Sequence, residues 1–95
     1  MFVVSLNYKV PLAEIDRLQP AHVEWLKACY AEGIFIASGP KTPRTGGIII
    51  AQCPREILDA RLAADPFAKT GAADYEVTEF LARMTAAGLD AFKDA

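Results

Sequence analysis

The only histidine of this chain, His22, is the residue best suited to proton chemistry. On a helix that begins at Pro20, with side chains about 100° apart, Leu26 lies about 40° and Cys29 about 20° from His22 around the axis. The imidazole therefore lies within the apolar stripe and points at the sheet. At the rim of a pocket it would be a general acid or base. In a closed core it would need hydrogen-bond partners for both ring nitrogens, and the pattern leaves both interpretations open.

A carboxylate that could assist this histidine is found in Asp65-Pro66-Phe67. Asp is a favoured helix N-cap and Pro is a favoured first helical residue, so the pair indicates the start of a short helix. An N-cap carboxylate has a fixed position, and it can also orient an imidazole. Capping and catalysis are both compatible with this segment.

Donors and positive charge are concentrated in the turn-rich segment 38–46. A solvated turn is one interpretation. The alternative is a site for a carboxylate or phenolate. The residues with suitable side chains are Ser38, Lys41, Thr42, Arg44 and Thr45. The glycines at 39, 46 and 47 match no phosphate-binding loop, and no nucleophile elbow is present.

The elements that must position these residues follow from hydrophobic periodicity. Alternate apolar residues at 2, 4, 6 and 8 predict a first strand. A short helical piece with Ile15 and Leu18 leads to Pro20, and a second piece over 20–32 ends at Gly33. Strands are expected over 34–37, 47–51 and 75–81, with a helix over 54–64, a short turn at 66–71 and a short terminal helix near Leu89 and Phe92.

This order predicts an α+β, ferredoxin-like β-α-β-β-α-β fold, a four-stranded antiparallel sheet with helices on one face. The other face contains strands as apolar as 34–36 and 48–50, which do not suit exposure to water. We therefore expect a homodimer in which two sheets pack against each other.

Length and composition exclude several classes of protein. Ninety-five residues are enough for one domain, 1–95. The net charge is −2 and no block of basic residues is present, so we expect no binding to nucleic acid. No stretch is long enough to cross a membrane, and the N-terminus has no signal-peptide pattern, so we expect a cytoplasmic protein. Cys29 and Cys53 form no zinc-ligand pattern with His22, so we expect buried free thiols, no metal and no cofactor.

Several weak motifs in a specific order resemble the YciI-like (YCII-related) family over residues 1–80. They are the first strand, the segments 20–22, 32–40 and 46–51, and 64–67 followed by Gly71. The resemblance implies a dimeric α+β barrel and an active-site pair formed by His22 and Asp65, with Ser38, Gly39 and Pro40 at the same pocket. One branch of the family is similar to dehydrochlorinases of chlorinated hydroxyhydroquinones. The loop 41–45 is shorter here than in some relatives, so the substrate need not be the same.

Together these observations predict a small cofactor-independent enzyme of the lyase or isomerase type, with dehydrochlorination as one example. His22 would move a proton on a small organic molecule, assisted by Asp65, while Ser38 or Arg44 holds the oxygen that becomes negative. The alternative is a non-catalytic homodimer that binds a small ligand or has a regulatory role. A module that only mediates interactions is a third possibility, disfavoured by the inward-pointing polar groups.

Overall fold

A computed structural model of the chain describes all 95 residues. The elements in chain order are β1 (Phe2–Tyr8), α1 (Leu12–Ala31), β2 (Phe35–Pro40), β3 (Gly46–Ala51), α2 (Arg55–Ala63), α3 (Pro66–Lys69) and β4 (Ala73–Glu79). The four strands form one antiparallel sheet in the order β2-β3-β1-β4. This topology confirms the predicted ferredoxin-like α+β fold.

The core lies on the helical side of the sheet. Every second residue of β1 is buried there, from Phe2 to Leu6, and Ile15 of α1 and Leu58 of α2 are completely buried in the same cluster. Val3 and Ser5 point to the opposite face and are only half-buried. The period of two in the sequence therefore predicted correctly which side of β1 faces the helices.

Helix α1 is continuous through Pro20, so the prediction of two helical pieces was wrong. Proline cannot donate to the carbonyl four residues earlier, that of Asp16, but both residues are exposed and water can replace the lost bond. Burial of Leu18 and His22 on either side of the proline anchors both halves to the core. The helix ends where predicted, with Gly33 at a φ of 73°.

Strands β2 and β3 are longer than predicted, which leaves a loop of only residues 41–45. Ser38, Gly39 and Pro40 thus belong to β2, an edge strand, where a proline without an N–H is tolerated. Gly46 starts β3, and a Cβ atom at this position would lie 1.8 Å from the carbonyl oxygen of Leu6. A glycine is therefore required for the close approach of β3 to β1.

The remaining boundaries shift by one or two residues. Helix α2 and the short α3 form where helical segments were expected, and β4 begins at Ala73 because its pairing with β1 extends to Tyr8. The predicted terminal helix is a single 3-10 turn, Asp90–Phe92. None of the helices combines the length and the hydrophobicity needed to cross a bilayer.

The C-terminal segment, residues 80–95, lies against part of the open face of the sheet. Leu89 and Phe92 share an apolar cavity of about 300 Å³ with Ile36 and Ile50. The amino group of Met1 donates hydrogen bonds of 3.0 Å to the main-chain oxygens of Phe80 and Ala95. The segment therefore covers one end of this apolar face.

Candidate active site

The site is built around Asp65, the residue that precedes α3. Its backbone is extended, and its carboxylate accepts a hydrogen bond of 3.1 Å from the backbone N–H of Phe67, as expected for an N-cap. Pro66 is the first helical residue. The predicted capping role is confirmed. Unlike most caps, however, Asp65 is completely buried, so its carboxylate needs further partners.

Two other side chains supply those partners. The Oδ1 atom that caps α3 also lies 2.8 Å from Nδ1 of His22, and Oδ2 accepts a short hydrogen bond from the hydroxyl of Tyr75 in β4. Burial, with a further contribution from the adjacent Asp65, raises the pKa of Tyr75 far above its ordinary value. The phenol therefore stays protonated and remains a donor. Three donors converge on this carboxylate, which is acceptor-only when ionised.

The same contacts fix the orientation of His22. Its ring stacks on that of Phe67, with centroids 4.0 Å apart and planes 11° apart, and the ring of Trp25 lies 5.4 Å away. The side chain of Trp25 is itself held by a 2.9 Å hydrogen bond from Nε1 to the carbonyl of Arg61. With Nδ1 as the donor to Asp65, Nε2 carries the lone pair. No protein group binds Nε2, and it is not among the buried atoms.

His22 forms part of the wall of a cavity of about 250 Å³ between α1 and the β2–β3 edge of the sheet. The helix contributes Gln19, His22 and Leu26. The other walls are formed by Leu6, Tyr8, Ser38, Gly39, Pro40, Arg44, Gly47, Ile48, Ile49 and Phe67. His22, Ser38, Gly39, Pro40 and Arg44 thus lie around one cavity, whereas Asp65 is buried behind His22 and does not reach it. Lys41, Thr42 and Thr45, the other candidates of the 38–46 segment, do not line this cavity.

The polar residues on the strand side have partners of their own. The hydroxyl of Ser38 lies 2.7 Å from that of Tyr30, and the guanidinium of Arg44 lies 2.7 Å from the Asp16 carboxylate on α1. This ion pair connects the β2–β3 loop to α1 beside the cavity. Arg44 is the only Lys or Arg side chain in the cavity wall. An anionic ligand in the cavity would therefore pair with the Arg44 guanidinium.

Two further site residues were missed in the sequence. Tyr75 was assigned only as a strand former, because nothing local indicates that its hydroxyl reaches Asp65. Gln19 lies about 60° from His22 around α1, within the apolar stripe. Only the assumed break at Pro20 separated it from the histidine. A polar residue inside that stripe was the signal that could have revealed it.

Comparison with solved structures supports the fold. The chain is similar to the 5-chloro-2-hydroxyhydroquinone dehydrochlorinase TftG from Burkholderia phenoliruptrix AC1100, solved in complex with 2,5-dihydroxybenzoquinone. The identity is 20%, the TM-score is 0.66, and the match covers 84% of this chain and 93% of the dehydrochlorinase chain. No curated protein matches the sequence.

The family is shown by the sequence itself. The model of the YCII-related domain matches residues 1–81, which is nearly the whole chain up to the C-terminal segment. The match includes both His22 and Asp65 and all four strands. The chain therefore belongs to the YCII-related domain family.

Proposed function

We propose that this protein is a small-molecule enzyme in which His22 transfers a proton to or from a ligand in the 250 Å³ cavity. The observation that carries the proposal is the setting of the imidazole: Nδ1 contacts a buried carboxylate, Nε2 has no protein partner, and the His22 side chain lines the cavity. A structural histidine of the core would have both ring nitrogens satisfied.

The proposed step begins when Nε2 takes a proton from a carbon atom next to a carbonyl group of the substrate. The electron pair of the C–H bond moves toward the carbonyl, and the oxygen that becomes negative is stabilised by Arg44 or by Ser38. The Asp65 carboxylate stabilises the imidazolium that forms, since it already accepts the Nδ1 proton. Asp65 therefore acts as a positioning residue, because it does not touch the substrate.

The deprotonated substrate can react further in two ways. In an isomerisation, the imidazolium returns the proton to another atom of the substrate. In an elimination, a leaving group departs with its bonding electrons as the double bond forms, which is how chloride would leave in a dehydrochlorination. The similarity to a dehydrochlorinase favours the second outcome. The cavity suits a molecule with one ring, since it is smaller than typical pockets for drug-sized ligands.

The test is a thermal-shift screen of small aromatic and dicarboxylic compounds, followed by turnover assays of the compounds that bind. His22→Gln keeps an N–H for Asp65, so we expect a folded variant whose turnover falls about 100-fold or more. Glu24→Gln, on the exposed side of the same helix, is the matched control and should leave turnover unchanged. A ligand that binds but is never converted would support the non-catalytic alternative.

We also propose that two copies pair through the open face of the sheet. Val3 and Ile48 are half-buried in the single chain. Ile48 of β3 lies opposite Ser5 of β1 in the sheet, so the two side chains share the open face. Val3 and Ile48 lie on the open face and do not line the cavity beneath the C-terminal segment, so we assign them to the part of this face that a second sheet would cover. Burial of such a surface by a second sheet is the arrangement expected for this fold family.

A further inference from the structure

Tyr8 is a side chain of the cavity wall to which the proposed proton transfer gives no role. It is the last residue of β1, and its half-buried ring packs against that of Phe67, with centroids 5.9 Å apart and planes at 81°. The Tyr8 hydroxyl makes no hydrogen bond within the protein, and it is not among the buried atoms that lack a partner. Its proton is therefore available to a ligand in the cavity.

Arg44 is the charged residue beside this hydroxyl. The backbone N–H of Tyr8 donates a hydrogen bond of 3.0 Å to the carbonyl of Thr45, so the end of β1 is fixed next to the loop that carries Arg44. The pKa of Arg44 is raised, chiefly by its hydrogen bond with Asp16 and to a smaller extent by Tyr8, as expected for a phenol and a guanidinium that lie side by side. A guanidinium has five N–H donors, and the ion pair with Asp16 leaves others for a ligand.

The ring of Phe67 connects Tyr8 to His22. The imidazole stacks on the face of this ring with centroids 4.0 Å apart, while the Tyr8 ring meets it nearly at a right angle. All three side chains line the same cavity of about 250 Å³. A molecule with one ring can therefore contact Tyr8 and His22 at the same time.

A phenol and a guanidinium side by side suit a negatively charged oxygen. Because arginine is donor-only, the Tyr8 oxygen turns a lone pair to the guanidinium and its proton to the cavity. Hydrogen bonds to an ionised oxygen are stronger than neutral ones, and one phenolate or enolate oxygen can accept from both groups. Ser38 carries the only other hydroxyl in the cavity wall, and this hydroxyl is paired with that of Tyr30.

We propose that Tyr8 is a further ligand-binding residue, which donates a hydrogen bond to the negatively charged oxygen of the ligand together with Arg44. That oxygen belongs to an acidic phenol or enol group on a molecule with one ring. The inference rests on the proposed function, because it places the charged oxygen of the substrate in the same cavity. It depends on binding of the anion and not on turnover.

The experiment compares 4-nitrophenol with nitrobenzene, which lacks the phenol oxygen, by calorimetry at a pH where 4-nitrophenol is ionised. We expect the unmodified protein to bind 4-nitrophenolate at least about tenfold more tightly than nitrobenzene. Tyr8→Phe should raise the Kd of 4-nitrophenolate about tenfold, the effect of one hydrogen bond to a charged group, and leave the Kd of nitrobenzene unchanged. Tyr30→Phe removes the same hydroxyl from a tyrosine outside the cavity wall, so this matched control should leave both Kd values unchanged.

The absorbance of the probe provides a second readout, which needs no variant of Tyr8. The anion of 4-nitrophenol is yellow and the neutral phenol is not, so the colour reports which form is bound. At a pH slightly below the pKa of free 4-nitrophenol, addition of the protein should increase the yellow absorbance, because the site favours the anion. The increase should persist in His22→Gln, since it does not come from a protonated imidazole.

Several results would overturn the assignment of Tyr8. One is a Kd of 4-nitrophenolate that is the same in Tyr8→Phe as in the unmodified protein. Another is an equal loss of binding for both probes in Tyr8→Phe, which would show that the ring acts only by packing. Absence of 4-nitrophenolate binding to the unmodified protein, or an absorbance that does not increase when the probe binds, would also refute it.

The two proposals can fail separately. If Tyr8→Phe weakens the binding of 4-nitrophenolate alone, but no compound is ever converted, the catalytic proposal fails and the assignment of Tyr8 stands. If His22→Gln abolishes turnover of a substrate while Tyr8→Phe binds 4-nitrophenolate as tightly as the unmodified protein, the enzyme proposal stands and the assignment of Tyr8 fails.

Discussion

Replacement of Asp65 tests the network that holds the histidine. In Asp65→Ala, the Nδ1–H of His22 and the N–H of Phe67 lose their acceptor, and both residues are buried. Each unsatisfied donor costs about 1–3 kcal/mol, partly offset because a carboxylate is no longer buried. Tyr75 is only partly buried, so its hydroxyl can turn toward water. We expect the free energy of unfolding to fall by about 2–5 kcal/mol, a large part of the stability of a domain this size.

Asp65→Asn separates geometry from charge. Its amide oxygen can still accept from His22 and Phe67, and its NH₂ group can donate to Tyr75 if that hydroxyl reverses. Charged hydrogen bonds become neutral ones, but the cost of burying a charge disappears, so we expect a loss of only about 1 kcal/mol. The folded variant should nevertheless lose turnover, because the imidazolium formed in the reaction is no longer stabilised by a carboxylate.

Urea denaturation followed by the fluorescence of Trp25, the single tryptophan, measures these changes next to His22. Asp59→Ala is the matched control, since the Asp59 carboxylate pairs with Arg55 in an exposed ion pair of 2.8 Å. It should cost less than about 1 kcal/mol. If Asp65→Ala were as stable as this control, the convergence of three donors on Asp65 would be refuted.

Three other perturbations have defined outcomes. Above pH 10 an unfolded chain loses the Tyr75 proton that the folded chain keeps, because the folded pKa is raised. Unfolding free energy should therefore fall from pH 10 to 11.5, and less steeply in Tyr75→Phe; identical slopes would contradict the buried donor. Gly46→Ala places a methyl group against the Leu6 carbonyl, so the free energy of unfolding measured by urea denaturation should fall by about 1–3 kcal/mol. Gly39→Ala is the control: its methyl group meets open space, and the free energy of unfolding should change by less than about 1 kcal/mol. Ser5→Lys puts a charge on the open face of the sheet, so light scattering should give the mass of a monomer. Ala60→Lys, on the exposed side of α2, is the control and should leave a dimer. A monomeric mass for the unmodified protein would refute the pairing proposal.

The fold was accessible from the sequence because its signals are local. The alternation in β1 and the glycine that ends α1 each depend on a few neighbouring residues. The continuity of α1 was not accessible, because the effect of Pro20 depends on whether the carbonyl of Asp16 can reach water. That exposure is a property of the tertiary structure.

The candidate site, too, could be predicted from the sequence only in part. Local rules identified Asp65 as a cap and placed His22 on the inner side of its helix. Their contact joins residues 43 positions apart, so no local rule fixes it; the N-cap made it possible, and the family resemblance paired the two residues. The hydrogen bond from Tyr75 had no signal at all, since a tyrosine at that position of β4 equally suits ordinary packing.

The central claim concerns which nitrogen of His22 carries the proton, and nitrogen NMR measures this directly. With a single histidine in the chain, the spectrum of a ¹⁵N-labelled sample at pH 8 contains one pair of imidazole resonances. The contact between Nδ1 and Asp65 predicts a single tautomer protonated at Nδ1, with a bare Nε2 that shifts when a ligand enters the cavity. A ring protonated at Nε2, or a rapidly averaging mixture of the two tautomers, would contradict the proposed role of Asp65 and the proton transfer built on it.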